Sequence, residues 1–379
     1  MKNMTAEREK ELQLDTPQKV IFEIQAMNLR NPNNRMSKFF PSDYFLDLSP
    51  DRQKQIVRTI KAGLANEDSE IGAYAMETSD YDNFEPILGP IIRDYHSIDK
   101  QFRFEGDWNI DGKNLDLKKI DPKLTEVSMR VRVARNIEGF PMTGNMKKED
   151  RIKFENYIRE RVFDKLISNP KYGGKYVSLT PGSKYEISQE EYKRLVDNHQ
   201  MFKDMSADPH LATAGISGDW PYGRGMYISE DEQKIVWVNE EDHLRIMNMQ
   251  KGSDLSIIFN GLGEELQLIE KFGVPFARSE KYGYVTSCPS NLGTGMRASL
   301  HLRLPNLTER GQNVDKLKGI LKEAGINVSV RGAGGEHTAA GADGLVDISP
   351  RGRMIPEKQV ITELYEGAAK LLKLEQKEK

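Results

Sequence analysis

The segment Val127-Ser128-Met129-Arg130-Val131-Arg132-Val133 alternates apolar and polar residues without a break. A β-strand is the backbone that sorts such a sequence onto two faces. The valines and Met129 then point toward a core, and Ser128, Arg130 and Arg132 point away from it. Met296-Arg297-Ala298-Ser299-Leu300-His301-Leu302 repeats the pattern with Arg297, Ser299 and His301 on the polar side, and Asn327-Val328-Ser329-Val330-Arg331 ends on Arg331. Glu241-Asp242-His243-Leu244-Arg245 adds Glu241, His243 and Arg245 to one face if a strand there stays regular. If the polar faces belong to one sheet, Arg130, Arg132, Arg245, Arg297 and Arg331 converge. Like charges repel, so their convergence makes sense around a polyanion. A nucleotide polyphosphate fits, because the planar arginine fork pairs with phosphate oxygens two at a time. A solvated sheet face with one arginine per strand satisfies the alternation as well.

Around these strands the 379 residues allow two domains. Helical spacing dominates to about residue 95. Its clearest start is Ser49-Pro50-Asp51, a cap and a first-turn proline ahead of Ile56, Val57, Ile60 and Leu64. Ser79 to Tyr95 reads as another helix, interrupted by Pro86 and Pro90. Further on, helical patterns at 147–168, 254–272, 307–324 and 356–373 alternate with strands at 126–134, 234–247, 284–302 and 326–331, and Gly273 and Gly325 close two of the helices. The expected fold is α+β. A small all-helical N-terminal domain covers residues 1–100, and a Gly-, Asp- and Lys-rich linker covers 101–123. A larger C-terminal domain over 124–379 has a mainly antiparallel sheet flanked by helices.

Composition narrows the partners. Lys plus Arg total 55 against 58 Asp plus Glu, a net charge of −3, which argues against a nucleic-acid partner but not against a local basic pocket. No apolar run reaches the roughly 18–20 residues of a membrane span, and the first residues lack the apolar stretch of a signal peptide. Cys288 is the single cysteine, which excludes an internal disulfide and a multi-cysteine metal site. The expectation is a cytoplasmic protein without a membrane partner.

Three further stretches carry chemistry. Arg331-Gly332-Ala333-Gly334-Gly335-Glu336-His337 is a glycine loop able to approach a ligand closely, with Glu336 where a lid residue would sit. No Walker loop and no protein-kinase signature occurs in the chain. Asn239-Glu240-Glu241-Asp242-His243 places three acids after an apolar strand. This is either a solvated turn or a site for a cation, Mg²⁺ or organic. Cys288 lies in Thr286-Ser287-Cys288-Pro289-Ser290; a lone cysteine is most often a small buried residue, and the hydroxyl neighbours with Arg297 offer a thiolate as the alternative.

Together these motifs resemble the phosphagen (guanidino) kinases, the family of arginine kinase and creatine kinase. The matching pieces are Asn239-Glu240-Glu241-Asp242-His243, Cys288-Pro289-Ser290-Asn291-Leu292-Gly293-Thr294, Ser128-x-Arg130-Val131-Arg132 and Arg331-Gly332-x-Gly334-Gly335, and the match runs across residues 17–373. The resemblance implies reversible transfer of the ATP γ-phosphoryl group to a guanidine, an energy-buffering reaction, with ATP/ADP and Mg²⁺. The Mg²⁺ is held by phosphates and water rather than directly by the protein. It implies that Ser128, Arg130, Arg132, His199, Arg245, Arg297, His301 and Arg331 bind the nucleotide. Glu241, Glu336 and Cys288 would act on the guanidinium. Asp68-Ser69-Glu70-Ile71-Gly72-Ala73-Tyr74 resembles the family's substrate-specificity loop, with Ser69, Ile71, Gly72 and Tyr74 at substrate-binding positions.

Glu336, where creatine kinases carry valine, points to L-arginine as the substrate. Gly334, Glu70 and Gly218 depart from the usual arginine-kinase pattern. The alternatives are another guanidine such as taurocyamine, glycocyamine or creatine, a protein-arginine kinase, or an inactive nucleotide-binding homologue. The family includes monomers and dimers, so a homodimer is compatible with the resemblance.

Overall fold

A computed structural model describes residues 9, 11–332 and 342–378. Residues 1–104, 134–245 and 270–295 form one compact unit, and 105–133, 246–269 and 296–379 form a second.

The first unit opens with helices Pro17–Arg30, Arg35–Phe39, Ser42–Asp47, Pro50–Ala65, Asp80–Asn83 and Glu85–His96. Pro50–Ala65 begins where the sequence places it. Ser49 is the N-cap residue, and Ile56, Ile60 and Leu64 are buried at successive turns. The stretch from Ser79 is two helices, and the second continues through Pro90. Three antiparallel strands of this unit lie in the order β2 (Lys175–Ser178), β3 (Gly225–Ile228), β4 (Lys234–Val238).

The second unit holds most of β1 (Val127–Arg135) and β5 (Leu244–Gly252), although Leu244 and Arg245 belong to the first unit. The first unit also contains the short pair β6 (Arg278–Ser279) and β7 (Gly283–Tyr284). Strands β8 (Met296–Arg303), β9 (Val328–Gly332) and β10 (Leu345–Pro350) complete the second unit's sheet in the order β5-β1-β8-β10-β9, with β1, β8, β10 and β9 antiparallel. Helices Glu357–Lys377 and Val314–Glu323 cover the apolar face. At Gly367 the approach is so close that a Cβ would lie 2.5 Å from Val328 Cγ1. The chain is thus α+β, with a helical N-terminal region and a large antiparallel sheet flanked by helices.

Three expected elements are shorter than their patterns. Helix 307–324 starts only at Val314, because Glu309, Arg310 and Gly311 have positive φ and Asn313 caps the helix that follows. Strand 284–302 reduces to β7 and β8, since Gly293 and Gly295 at φ +91° and +58° break the extended run between them. Strand 234–247 breaks at a left-handed Asn239, φ +52°, whose N–H donates to the His243 carbonyl at 2.9 Å. Glu241, His243 and Arg245 therefore do not share a regular strand face.

Candidate active site

On the second unit's sheet, alternation does what the sequence implies. Along β1, Val127, Met129, Val131 and Val133 are buried, Ser128 is exposed, and Arg130 and Arg132 are half-buried. Residues paired across antiparallel strands point to the same side. Arg132 pairs with Arg297 and Arg130 with Ser299, and one strand further Asp347 of β10 pairs with both His301 and Arg331. Arg130, Arg132, Arg297, His301 and Arg331 therefore share one polar face, with Asp347 among them.

The electrostatics of that face are those of a site for an anion. Burial, then the charge of Arg331, pushes the Arg297 guanidinium down to about 10, with Arg353 and Arg130 adding to the fall and Asp347 opposing it. Asp347 lies 3.8 Å from both Arg297 Nη2 and His301 Nε2. A polyphosphate would relieve the repulsion among the arginines. Asp347 and Arg353 are additions that the motifs do not single out. Alternation in Leu345-Val346-Asp347-Ile348 marks Asp347 as polar-facing, but nothing local marks Arg353, which lies after β10 and donates to the carbonyl of Pro350.

In the first unit, Glu241, Cys288 and Tyr74 come together. Glu241 sits on the 239–243 turn, and both Thr143 Oγ1 and Ser287 Oγ donate to its carbonyl, at 2.5 and 2.8 Å. Beneath it, Asp242 is buried. Its carboxylate accepts from the Ser287 N–H at 2.6 Å and from Asn136 Nδ2 at 2.7 Å, and Asn136 Oδ1 accepts from the His243 N–H. His243 is buried and held to the Pro141 carbonyl, and its ring is pushed down to about 4 by burial, so it stays neutral at pH 7. These bonds tie the turn that carries Glu241 to the loop that carries Cys288.

A Cys288 thiolate is not what this environment favours. Burial, then the neighbouring Glu241 carboxylate, pushes the thiol up to about 12, although Ser290 Oγ lies 3.0 Å from its sulfur and works in the opposite direction. Tyr74 is raised by burial, then by Cys288 and Glu241. Burial and the nearby Glu241 carboxylate thus keep both the Cys288 thiol and the Tyr74 phenol neutral. The place therefore favours a cation. Arg245 reaches Glu240 at 2.9 Å and Glu241 only at 3.9 Å.

The 68–74 loop borders this place. Ser69 Oγ accepts from the Gly72 N–H at 3.1 Å, the Tyr74 N–H donates to Thr59, and the Ala75 N–H donates to Ser287 at 2.8 Å. Ser69 and Gly72 are buried, and Ile71 and Tyr74 are half-buried. Glu70, unusual for the family, is exposed. Its carbonyl accepts from the Arg35 N–H at 2.9 Å, and its carboxylate lies 3.9 Å from the Arg35 guanidinium. Gly218 lies beside buried Arg151, whose Nε is 3.5 Å from Asp219. His199 occupies an exposed turn of the first unit at φ +59°, whereas His301 belongs to the second. Glu336 and Gly334 lie outside the described residues. Among the described residues no group of three or more His, Cys, Asp or Glu is placed to hold a metal ion, and no helix is long and apolar enough to cross a membrane.

Comparison with known proteins identifies the family. Residues 153–378 match the family described as ATP:guanido phosphotransferase, C-terminal catalytic domain. An arginine kinase of Amphioctopus fangsiao (Oct f 2) is 37% identical over 318 residues, 83% of this chain and 86% of that protein. An arginine kinase of Anthopleura japonica is 35% identical over 354 residues, 91% of this chain but 47% of that protein, so the chain spans about half its length. The substrate-free duplicated taurocyamine kinase of Schistosoma mansoni superposes with a TM-score of 0.77 at 28% identity, covering 96% of this chain and 49% of that one. The chain belongs to the ATP:guanido phosphotransferase family, the phosphagen kinases.

Proposed function

We propose that the protein reversibly transfers the γ-phosphoryl group of ATP to the guanidinium of L-arginine, giving phosphoarginine and ADP. The observation that carries this reading is the grouping of the Glu241 carboxylate with the buried Cys288 thiol and Tyr74 phenol, where burial and Glu241 oppose any further negative charge and a guanidinium would pair with the carboxylate. The relatives named arginine kinase supply the choice of guanidine.

A guanidinium is a poor nucleophile, because its lone pair is delocalised and it is protonated at neutral pH. Glu241, fixed by the bonds to its carbonyl, would accept N–H donation and hold one nitrogen in line with the phosphorus. Glu336 would clasp the other side. Either carboxylate can take the proton released as the N–P bond forms, but orientation is the larger contribution. Arg130, Arg132, Arg245, Arg297 and Arg331 would bind the phosphates and spread the charge that develops on the transferring group, with Ser128, His199 and His301 on the nucleotide. Ser69, Ile71, Gly72 and Tyr74 would receive the amino-acid end.

Magnesium, when bound, neutralises phosphate charge. Among the described residues the arginine-rich face offers it Asp347 as a carboxylate, so the phosphates and water would supply most of its ligands. The same reading places the enzyme in the cytoplasm, as a monomer or a homodimer.

The test is ATP-dependent phosphorylation of a panel containing L-arginine, D-arginine, creatine, glycocyamine and taurocyamine. Preference for L-arginine is expected. Preference for taurocyamine would reassign the substrate, and turnover of none would overturn the function.

A further inference from the structure

Gly63 is an odd residue to find inside the helix Pro50–Ala65, where alanine is the better helix former. The reason lies in the 66–75 loop. A Cβ on Gly63 would sit 2.1 Å from the carbonyl oxygen of Gly72 and 2.3 Å from its Cα, both backbone atoms. On the loop's other side, a Cβ on Gly72, φ +82°, would lie 2.6 Å from Asn34 Oδ1 and from Met36 Cβ. The Arg35 and Met36 N–H groups donate to Glu70 and Ile71, at 2.9 and 3.2 Å. The loop backbone is thus clamped between a helix and a segment, and the absent side chain at Gly63 sets how deep it sits.

The start of the loop has a second hold. His210 Nε2 lies 3.2 Å from Asp68 Oδ1. His210 stands in the helix Pro209–Thr213, whose Thr213 Oγ1 accepts from buried Asn66 Nδ2 at 2.8 Å. Leu211 of that helix and Tyr74 of the loop pack on Ala62, Ala214 and Ile216. The helix therefore holds the loop at Asn66 and Asp68, and its Leu211 shares with Tyr74 the cluster beyond Ser69 and Ile71.

We propose that Gly63 and His210, which lie outside the loop, are positioning residues. They set its place and so determine which guanidines, differing at the end remote from the reacting nitrogen, are accepted. This rests on the function proposed above.

The experiment measures kcat and KM for L-arginine, taurocyamine and ATP in wild type, His210→Ala, His210→Lys and Gly63→Ala, with ADP binding and thermal unfolding alongside. His210→Ala should raise KM for L-arginine about two- to fivefold, as expected for loss of a partly exposed contact to a carboxylate, leaving kcat and KM for ATP within about twofold. His210→Lys, which keeps an N–H donor facing Asp68, should restore most of that loss. Gly63→Ala should raise KM for L-arginine by about tenfold or more and narrow the preference over taurocyamine, with ADP binding kept.

Unchanged KM in both His210 variants, or equal losses for L-arginine and ATP, would overturn the proposal, whether or not Gly63→Ala folds. Wild type inactive on every guanidine would instead overturn the underlying function.

Discussion

On the second unit's sheet, backbone pairing aligns the arginines. Once β1, β8, β10 and β9 are in register, Arg132 must stand beside Arg297, and Asp347 must stand between His301 and Arg331. In the first unit, Glu241 and Cys288 sit on turns, and their placement comes from side chains: Thr143, Ser287, Asp242 and Asn136. The sheet side tolerates no register slip, because a slip of one residue would turn every arginine into the core. The turn side depends on a few buried bonds, each of which leaves an unsatisfied group if its partner is lost. The difference teaches that one chain can fix its arginine-bearing face by periodicity and its Glu241 turn by a local network.

The comparison is broken or sharpened first at the arginines. Arg297→Ala and Arg132→Ala should each lower kcat by about 10³-fold or more while the protein stays folded, the scale seen for transition-state arginines in phosphoryl transfer. Near-wild-type turnover with intact circular dichroism would remove the anion-side assignment.

On the cation side, Glu241→Gln keeps the shape and removes the charge. It should lower kcat by about 10²-fold or more, with ADP affinity preserved. If ADP affinity falls in parallel with kcat, the two regions are not separable in function.

Glu336→Val tests the second carboxylate. Losing one charge-assisted bond, worth about 1.5–3 kcal/mol, should weaken arginine phosphorylation by about tenfold to a hundredfold without giving good creatine turnover. Unchanged kcat/KM for L-arginine would show that Glu336 does not touch the guanidinium.

The smallest effect to be read is the rate of Cys288 alkylation. With its thiol pushed up to about 12, the resting enzyme should react slowly at pH 7 and faster as pH rises, since the thiolate is the nucleophile. MgADP plus substrate should protect the enzyme from modification. Modification is followed by mass spectrometry, and a rate independent of pH between about 7 and 10 would contradict the buried, neutral thiol.

Much of this protein is legible in its sequence wherever a repeating period carries the information. The Ser128-x-Arg130-x-Arg132 alternation, its echoes at Arg297 and Arg331, and the capped helix after Ser49 need only local geometry. The four motifs together also point to the family. Where periodicity stops, so does the legibility. The Asn239 turn interrupts a strand that the apolar pattern runs through, because a single left-handed residue is invisible to a pattern of apolar positions.

The state of Cys288 escapes the sequence for a related reason. Its hydroxyl neighbours are visible there and suggest a thiolate, but its burial and the carboxylate of Glu241, 47 positions away in sequence, are not visible. Asp347 needs the register of β10 before its alternation means anything. The sequence by itself determined which residues alternate, where helices begin and which chemistry the chain can carry. Only the tertiary structure decided which of those residues meet and how they are charged, because strand register, burial and the fields of distant carboxylates are properties of contacts between segments rather than of any segment alone.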